Sequence, residues 1–372
     1  VVRNKYFYYL FLLNALINLV NYVPRILIQD RYNGALLSTI IALGIGMVLL
    51  LLFAKLLAKF PQQGLPEIMH KFLPRWIGSP LLILMSSIWF TSSVLTLVGF
   101  VDVTNRFISP DVSPYLVLVG FLTVVGLSAR LDSESILYGL EIVLYMTFPL
   151  IVYMVFRIFS SPYYSWDAVL QVVTYLWRVP QYKTVAAATY VFAGYTNMVI
   201  FNRVFKRLRV RHFWLIVLLG INTLVISMFA PIGFLGAEGA GEYVYPAFST
   251  IDSLRIRYFI IERMIYVFYV VYMCLSLVNS IVHWHVSKEL LMGAFKKVSL
   301  SGVNTPKEVK GRKKMEWWIL AIYSVIVYSS SLLLDQFTLA ELAVIFLDTR
   351  LVGEIVLLAL MFYFAMRRRR HA

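Results

Sequence analysis

Three asparagines, Asn14, Asn18 and Asn21, sit in one apolar run, and steps of four and three residues stack them on a single helical face. An amide both donates and accepts hydrogen bonds, and in hydrocarbon it is costly without a partner. Just beyond, Tyr22-Val23-Pro24-Arg25 brings a proline that lacks an N–H and clashes with the preceding turn. A helix break is therefore expected at Asn21–Pro24. An amide stripe running into a break would line a polar cavity whose freed backbone groups coordinate a ligand. The same stripe would also serve as hydrogen-bonding glue between packed helices.

A second interruption is expected at Thr189-Tyr190-Val191-Phe192-Ala193-Gly194-Tyr195-Thr196-Asn197, where glycine and small polar residues fall in mid-run. A third polar stripe, Tyr269, Tyr272, Ser276, Asn279 and His283, advances in steps of three and four and would face a bundle interior. The candidate ligand-binding residues are Asn18, Asn21, Tyr22, Gly194, Tyr195, Thr196, Asn197, Tyr272 and Ser276. Asp102, Glu141 and Glu354 are ionisable groups inside apolar runs, and so are candidate proton or cation sites. The alternative is simple pairing, with Arg106 or Arg350 as partners. His283 and His285 could suggest a metal pair but read as interfacial histidines near the cytoplasmic end. Cys274 reads as a small packing residue. No phosphate loop, HExxH or nucleophile elbow occurs, so neither a catalytic centre nor a cofactor is expected.

The elements that must position these residues follow from composition. The 372 residues are 60% hydrophobic and only 14% charged, with a net charge of +15. Mean hydropathy is +0.77. A soluble domain carries roughly 25% charged residues, so the bilayer is the expected solvent. The basic residues cluster between apolar runs instead of forming a nucleic-acid-binding face.

A membrane span needs about 20 apolar residues. Candidates are 6–29, 34–57, 79–105, 113–129, 135–160, 184–203, 213–236, 257–284, 316–334 and 350–367, giving an all-α integral membrane protein of about ten spans. With both termini inside, 24 of the 34 Lys and Arg residues fall on the cytoplasmic side, ending in Arg367–Arg370. The outer connection 161–183 carries Trp166, Leu170, Val173 and Trp177 at the spacing of a helix lying on the membrane. The inner segment 58–78, with Pro61, Pro66, Ile68, Phe72 and Ile77, also reads as interfacial, and Lys296–Lys314 as a mobile loop. The chain is expected to be one transmembrane domain, 1–372, with a cytoplasmic loop at 286–315. Interruptions in the first and sixth of ten spans are what a 5+5 inverted repeat requires, with repeats at about 6–160 and 184–367.

Several short stretches are similar to one family. Asn21-Tyr22-Val23-Pro24-Arg25-Ile26-Leu27 resembles the first-helix ending of the spore-germination amino-acid permeases, the B subunits of germinant receptors, in the amino acid/polyamine/organocation transporter superfamily. Phe60-Pro61-Gln62-Gln63-Gly64-Leu65-Pro66-Glu67-Ile68 and Lys71-Phe72-Leu73-Pro74-Arg75-Trp76-Ile77-Gly78 resemble its proline-containing interfacial segment. Tyr245-Pro246-Ala247-Phe248 followed by Phe259-Ile260-Ile261-Glu262-Arg263 resembles its most specific pattern. The resemblance runs over about residues 5–370. It implies a leucine-transporter-like fold with discontinuous helices 1 and 6 and a ligand site between them. It also implies residence in the spore inner membrane, a small nutrient ligand, and A-type and C-type partner subunits. Family members often carry glycines in the first-helix break; here Asn18-Leu19-Val20-Asn21-Tyr22 has none.

Overall fold

The computed structural model describes residues 2–206, 208–254, 263–295 and 306–370. No β-strand occurs among them. The helices are α1 (Lys5–Ile17), α2 (Tyr22–Gln29), α3 (Ala35–Leu57), α4 (Leu65–Phe72), α5 (Arg75–Val103), α6 (Pro114–Ser128), α7 (Ser133–Phe159) and α8 (Trp166–Val173). They continue with α9 (Tyr182–Tyr190), α10 (Met198–Phe201), α11 (Phe213–Leu235), α12 (Pro246–Ser253), α13 (Met264–Phe295), α14 (Pro306–Leu333) and α15 (Gln336–Arg370). Among the described residues six helices are long and apolar enough to cross a membrane, or eight if each of two bent pairs is one span. The chain is a multi-pass helical membrane protein.

Both bent pairs lie in the expected runs. α1 and α2 meet at 55°, and α9 meets the segment Ala193–Val204 at 61°. The second break, a 3-10 turn over Ala193–Asn197, falls where the small residues placed it. The first falls earlier than expected: α1 ends at Ile17 and α2 starts at Tyr22. Pro24 therefore does not break the helix. It occupies the first turn of α2, where a backbone N–H has no intrahelical acceptor and a proline is tolerated.

α5 and α13 form the most extensive helix contact. Small hydroxyl residues let the two backbones approach: Ser86 and Ser287 share a hydrogen bond of 2.8 Å, and Ser287 also donates to the Ser86 carbonyl at 2.9 Å. α13 continues to Phe295 and α14 begins at Pro306, so most of the expected loop 286–315 is helical. Of the expected mobile stretch Lys296–Lys314, residues 306–314 are helical and 296–305 lie outside the described residues, as do Phe259–Glu262 of the resemblance pattern.

Two further expectations change. α4 forms in the inner segment, but Leu65, Ile68, Met69 and Phe72 are buried in the bundle and are not laid on a membrane surface. His283 and His285, expected at the interface, are buried because α13 runs about three turns past them. α8 does present Trp166, Leu170 and, just beyond it, Trp177 outward, the last 83% exposed.

Asp132 caps α7, accepting from the Ser135 backbone N–H at 3.1 Å and its hydroxyl at 2.8 Å. These bonds, the side-chain one foremost, hold the Asp132 carboxyl below its ordinary range. A lowered folded-state pKa gives stability that is present above the unfolded value and lost as pH falls through the folded one. Asp132→Ala is expected to cost about 1 kcal/mol near neutral pH. The cost should shrink as acid protonates Asp132, as melting curves at several pH values would show.

Candidate functional site

The two breaks meet. The Asn14 side chain of α1 donates to the carbonyls of Tyr190 and, at 3.2 Å, Val191, which the end of α9 leaves free. Gly194 lies against α1: a Cβ there would sit 2.4 Å from the Leu10 carbonyl oxygen and 2.7 Å from Phe11 Cα. Its absent side chain therefore serves the close approach of the two broken helices. Asn18, expected to face a ligand, donates to the Asn14 carbonyl at 2.8 Å.

Two adjoining cavities flank this junction. One is lined by Asn18, Asn21 and Tyr22 from the first break, Ser92 and Thr96 of α5, and Asn279 of α13. The other is lined by Trp89, Thr196, His283, Arg350 and Glu354 among others. Ser92, Tyr190 and Phe346 belong to both walls, so the cavities are neighbours. Ser92 and the Tyr190 hydroxyl are hydrogen-bonded at 2.6 Å on that shared wall.

Amides and hydroxyls chain through the first cavity. Tyr272 donates to Asn21 Oδ1 at 2.8 Å, and the Asn21 amide reaches Thr96 Oγ1 at 3.5 Å. The Asn279 amide reaches the same oxygen at 3.4 Å, while the Thr96 hydroxyl donates to the Ser92 carbonyl at 3.0 Å. In the second cavity Arg350 pairs with Glu354, which also accepts from the Tyr195 hydroxyl. Arg350 donates as well to the Ala186 carbonyl at 2.8 Å and Thr189 Oγ1 at 3.0 Å, and lies over the Tyr190 ring. Asn197 accepts from Trp89 Nε1 at 2.8 Å.

Of the residues expected at a ligand site, Asn18, Asn21, Tyr22 and Thr196 line one of these two cavities, as does Glu354. Gly194, Tyr195 and Asn197 support the walls from behind. Tyr272 positions Asn21 and lines a separate, mainly apolar cavity with Leu16, Leu19 and Val20, while Ser276, fully buried, lines none of the three. Asp102 and Glu141 lie away from both. Asp102 pairs with Arg106 at 2.9 Å and accepts from Tyr245, and Glu141 pairs with Lys5 and accepts from Tyr6. Sequence reasoning missed Ser92 and Thr96, although their i, i+4 spacing in a hydroxyl-rich stretch of α5 was a usable signal.

It also missed a charge cluster. Arg203, at the end of the second broken helix, binds Glu289 at 2.6 Å and Glu67 at 2.7 Å. Glu289 also pairs with Arg312 at 3.1 Å, and Lys288, 1% exposed, pairs with Glu316. These pairs tie α4, α13 and α14 to the broken helix. Arg312 is 53% exposed on its side chain, so Arg312→Ala is expected to cost under about 1 kcal/mol in a melting experiment. Elsewhere Glu238 accepts from Tyr32 at 2.7 Å and pairs with Arg31 at 3.0 Å, which keeps its carboxyl below the ordinary range. Among the described residues no group of three or more His, Cys, Asp or Glu is placed to hold a metal.

The spore permease family model, described as "Spore germination protein", matches residues 19–301. That stretch contains most of the first break, the whole of the second, α5 and all of α13, while Asn14, Asn18, Arg350 and Glu354 lie outside it. No curated protein matches the chain.

Proposed function

The chain belongs to the spore permease family of spore germination proteins, and from that premise we propose that it is the nutrient-sensing membrane subunit of a spore germinant receptor. The observation that carries this reading is the meeting of two broken helices, bent by 55° and 61°, beside cavities walled with amides and hydroxyls. A ligand held there touches both broken helices, so it binds two arrangements of them unequally and shifts their populations. The reading includes ten spans with both termini cytoplasmic and a single domain of two inverted five-helix repeats. It places the chain in the spore inner membrane beside A-type and C-type subunits. Added to the eight, α6, with 15 residues, would supply the fourth span and α15 the tenth.

The test is thermal unfolding of the purified full chain against a panel of amino acids, sugars and nucleosides. At least one compound is expected to raise the melting temperature, and Asn21→Leu to abolish the rise. The same variant should cost about 1–3 kcal/mol in ligand-free stability, because it removes two hydrogen bonds and takes the acceptor from the buried Tyr272 hydroxyl. A panel without effect, or shifts indifferent to Asn21→Leu, would sink the reading.

A second reading, an ion-coupled permease for small amines or amino acids, is favoured by one observation. Glu354 lines the second cavity and is neutralised by a single arginine. It predicts uptake into proteoliposomes that collapses with the ion gradient, whereas a sensor binds without accumulating.

A further inference from the structure

The two cavities each carry one buried polar atom without a partner, and the two atoms are complementary. Asn279, 2% exposed, lines the first cavity, and its Oδ1 has no hydrogen-bond partner. Its orientation is set by its neighbour. The Thr96 hydroxyl proton is committed to the Ser92 carbonyl, so Thr96 Oγ1 accepts only, and Asn279 must turn its amide nitrogen toward it. An acceptor is thereby left over. Arg350, 4% exposed, lines the second cavity, and its Nε has no partner although both Nη atoms are bonded. A donor is left over there.

Net charge at this site is equally constrained. The first cavity has no ionisable side chain other than the tyrosines Tyr22 and Tyr190 among its lining residues. In the second, the Arg350 guanidinium is matched by the Glu354 carboxylate, and His283, the remaining acid–base side chain besides Tyr190, is buried with its Nδ1 on the Asn279 carbonyl at 2.7 Å. A free ammonium group would find no unpaired carboxylate, and a free carboxylate no unpaired cation. Burying either uncompensated is expensive, whereas a neutral hydroxyl or amide needs only the hydrogen bonds these orphans offer.

Resting on the reading of this region as a ligand site, we infer that it selects an uncharged polar molecule of hydroxyl or carboxamide chemistry over a zwitterionic amino acid. The ligand donates to Asn279 Oδ1 and accepts from Arg350 Nε, with Ser92 and Tyr190 between.

The experiment compares uncharged with zwitterionic probes, one pair of them matched in size, on the purified full chain. L-lactamide is set against L-alanine, and myo-inositol, D-glucose and inosine against L-valine and L-glutamine. The inference expects thermal shifts from uncharged members at concentrations at least tenfold below those at which zwitterions act. Asn279→Leu is expected to remove those shifts. Selectivity in the unsubstituted protein decides the matter even if that variant folds poorly. Zwitterions acting at equal or lower concentration, with shifts abolished by Asn21→Leu, overturn the charge selection and leave the ligand site standing. Silence across the panel overturns the site reading itself.

Discussion

Glu354→Leu is expected to destabilise the protein by about 3–5 kcal/mol, because it strands the Arg350 guanidinium in a buried position without its counter-charge. Arg350 is buried, and its carboxylate partner is one helical turn away on α15. The Tyr195 hydroxyl loses its acceptor in the same substitution. Removing both charges with Arg350→Leu and Glu354→Leu together is expected to recover much of the loss, since a well-packed apolar pair no longer carries the desolvation cost. A double-mutant cycle on melting temperature would show the non-additivity. Additive losses would mean that the two groups do not act as a pair.

Gly194→Ala is the second large effect. The new Cβ meets backbone, the Leu10 oxygen at 2.4 Å and Phe11 Cα at 2.7 Å, and no rotamer change can relieve that. α1 must move away from the second broken helix, which also stretches the Asn14 bonds to Tyr190 and Val191. Overpacking of this kind costs about 1–3 kcal/mol. Gly120→Ala in α6 is the control. A Cβ there meets nothing within 4 Å, so a gain of about 0.5–1 kcal/mol from higher helix propensity is expected. Similar melting temperatures for the two variants would contradict the close approach.

These two sites show what the sequence carried and what it did not. The bends in both broken helices were readable because polar and small residues in an apolar run have few other uses. The first bend was misplaced because proline's effect depends on its distance from a helix start, which tertiary structure sets. At Asn18 the helix ends in front of Pro24, so the proline begins a new helix. Gly194 was legible as special, but whether a glycine admits a ligand or a neighbouring backbone depends on what packs there. Ser92 and Thr96 were not singled out, since their role arises only when α13 brings Asn279 within reach. The Arg203–Glu289–Glu67 cluster was invisible for a further reason. Lys288 and Glu289 follow the apolar stretch, and charges there read as solvated loop. α13 extends past the stretch and buries them against partners distant in sequence.

The central claim is that a small uncharged nutrient binds between the two broken helices, and substituted-cysteine protection tests it most directly. Ser92→Cys, on the wall shared by both cavities, would be placed in a Cys274→Ala background and modified with a small thiol reagent. Rates would be compared with and without the uncharged probe giving the largest thermal shift. The account predicts that the probe slows modification at position 92 severalfold and leaves native Cys274 in the unsubstituted protein unaffected. Equal rates at position 92 with the probe bound at saturation would place the ligand elsewhere and contradict the account.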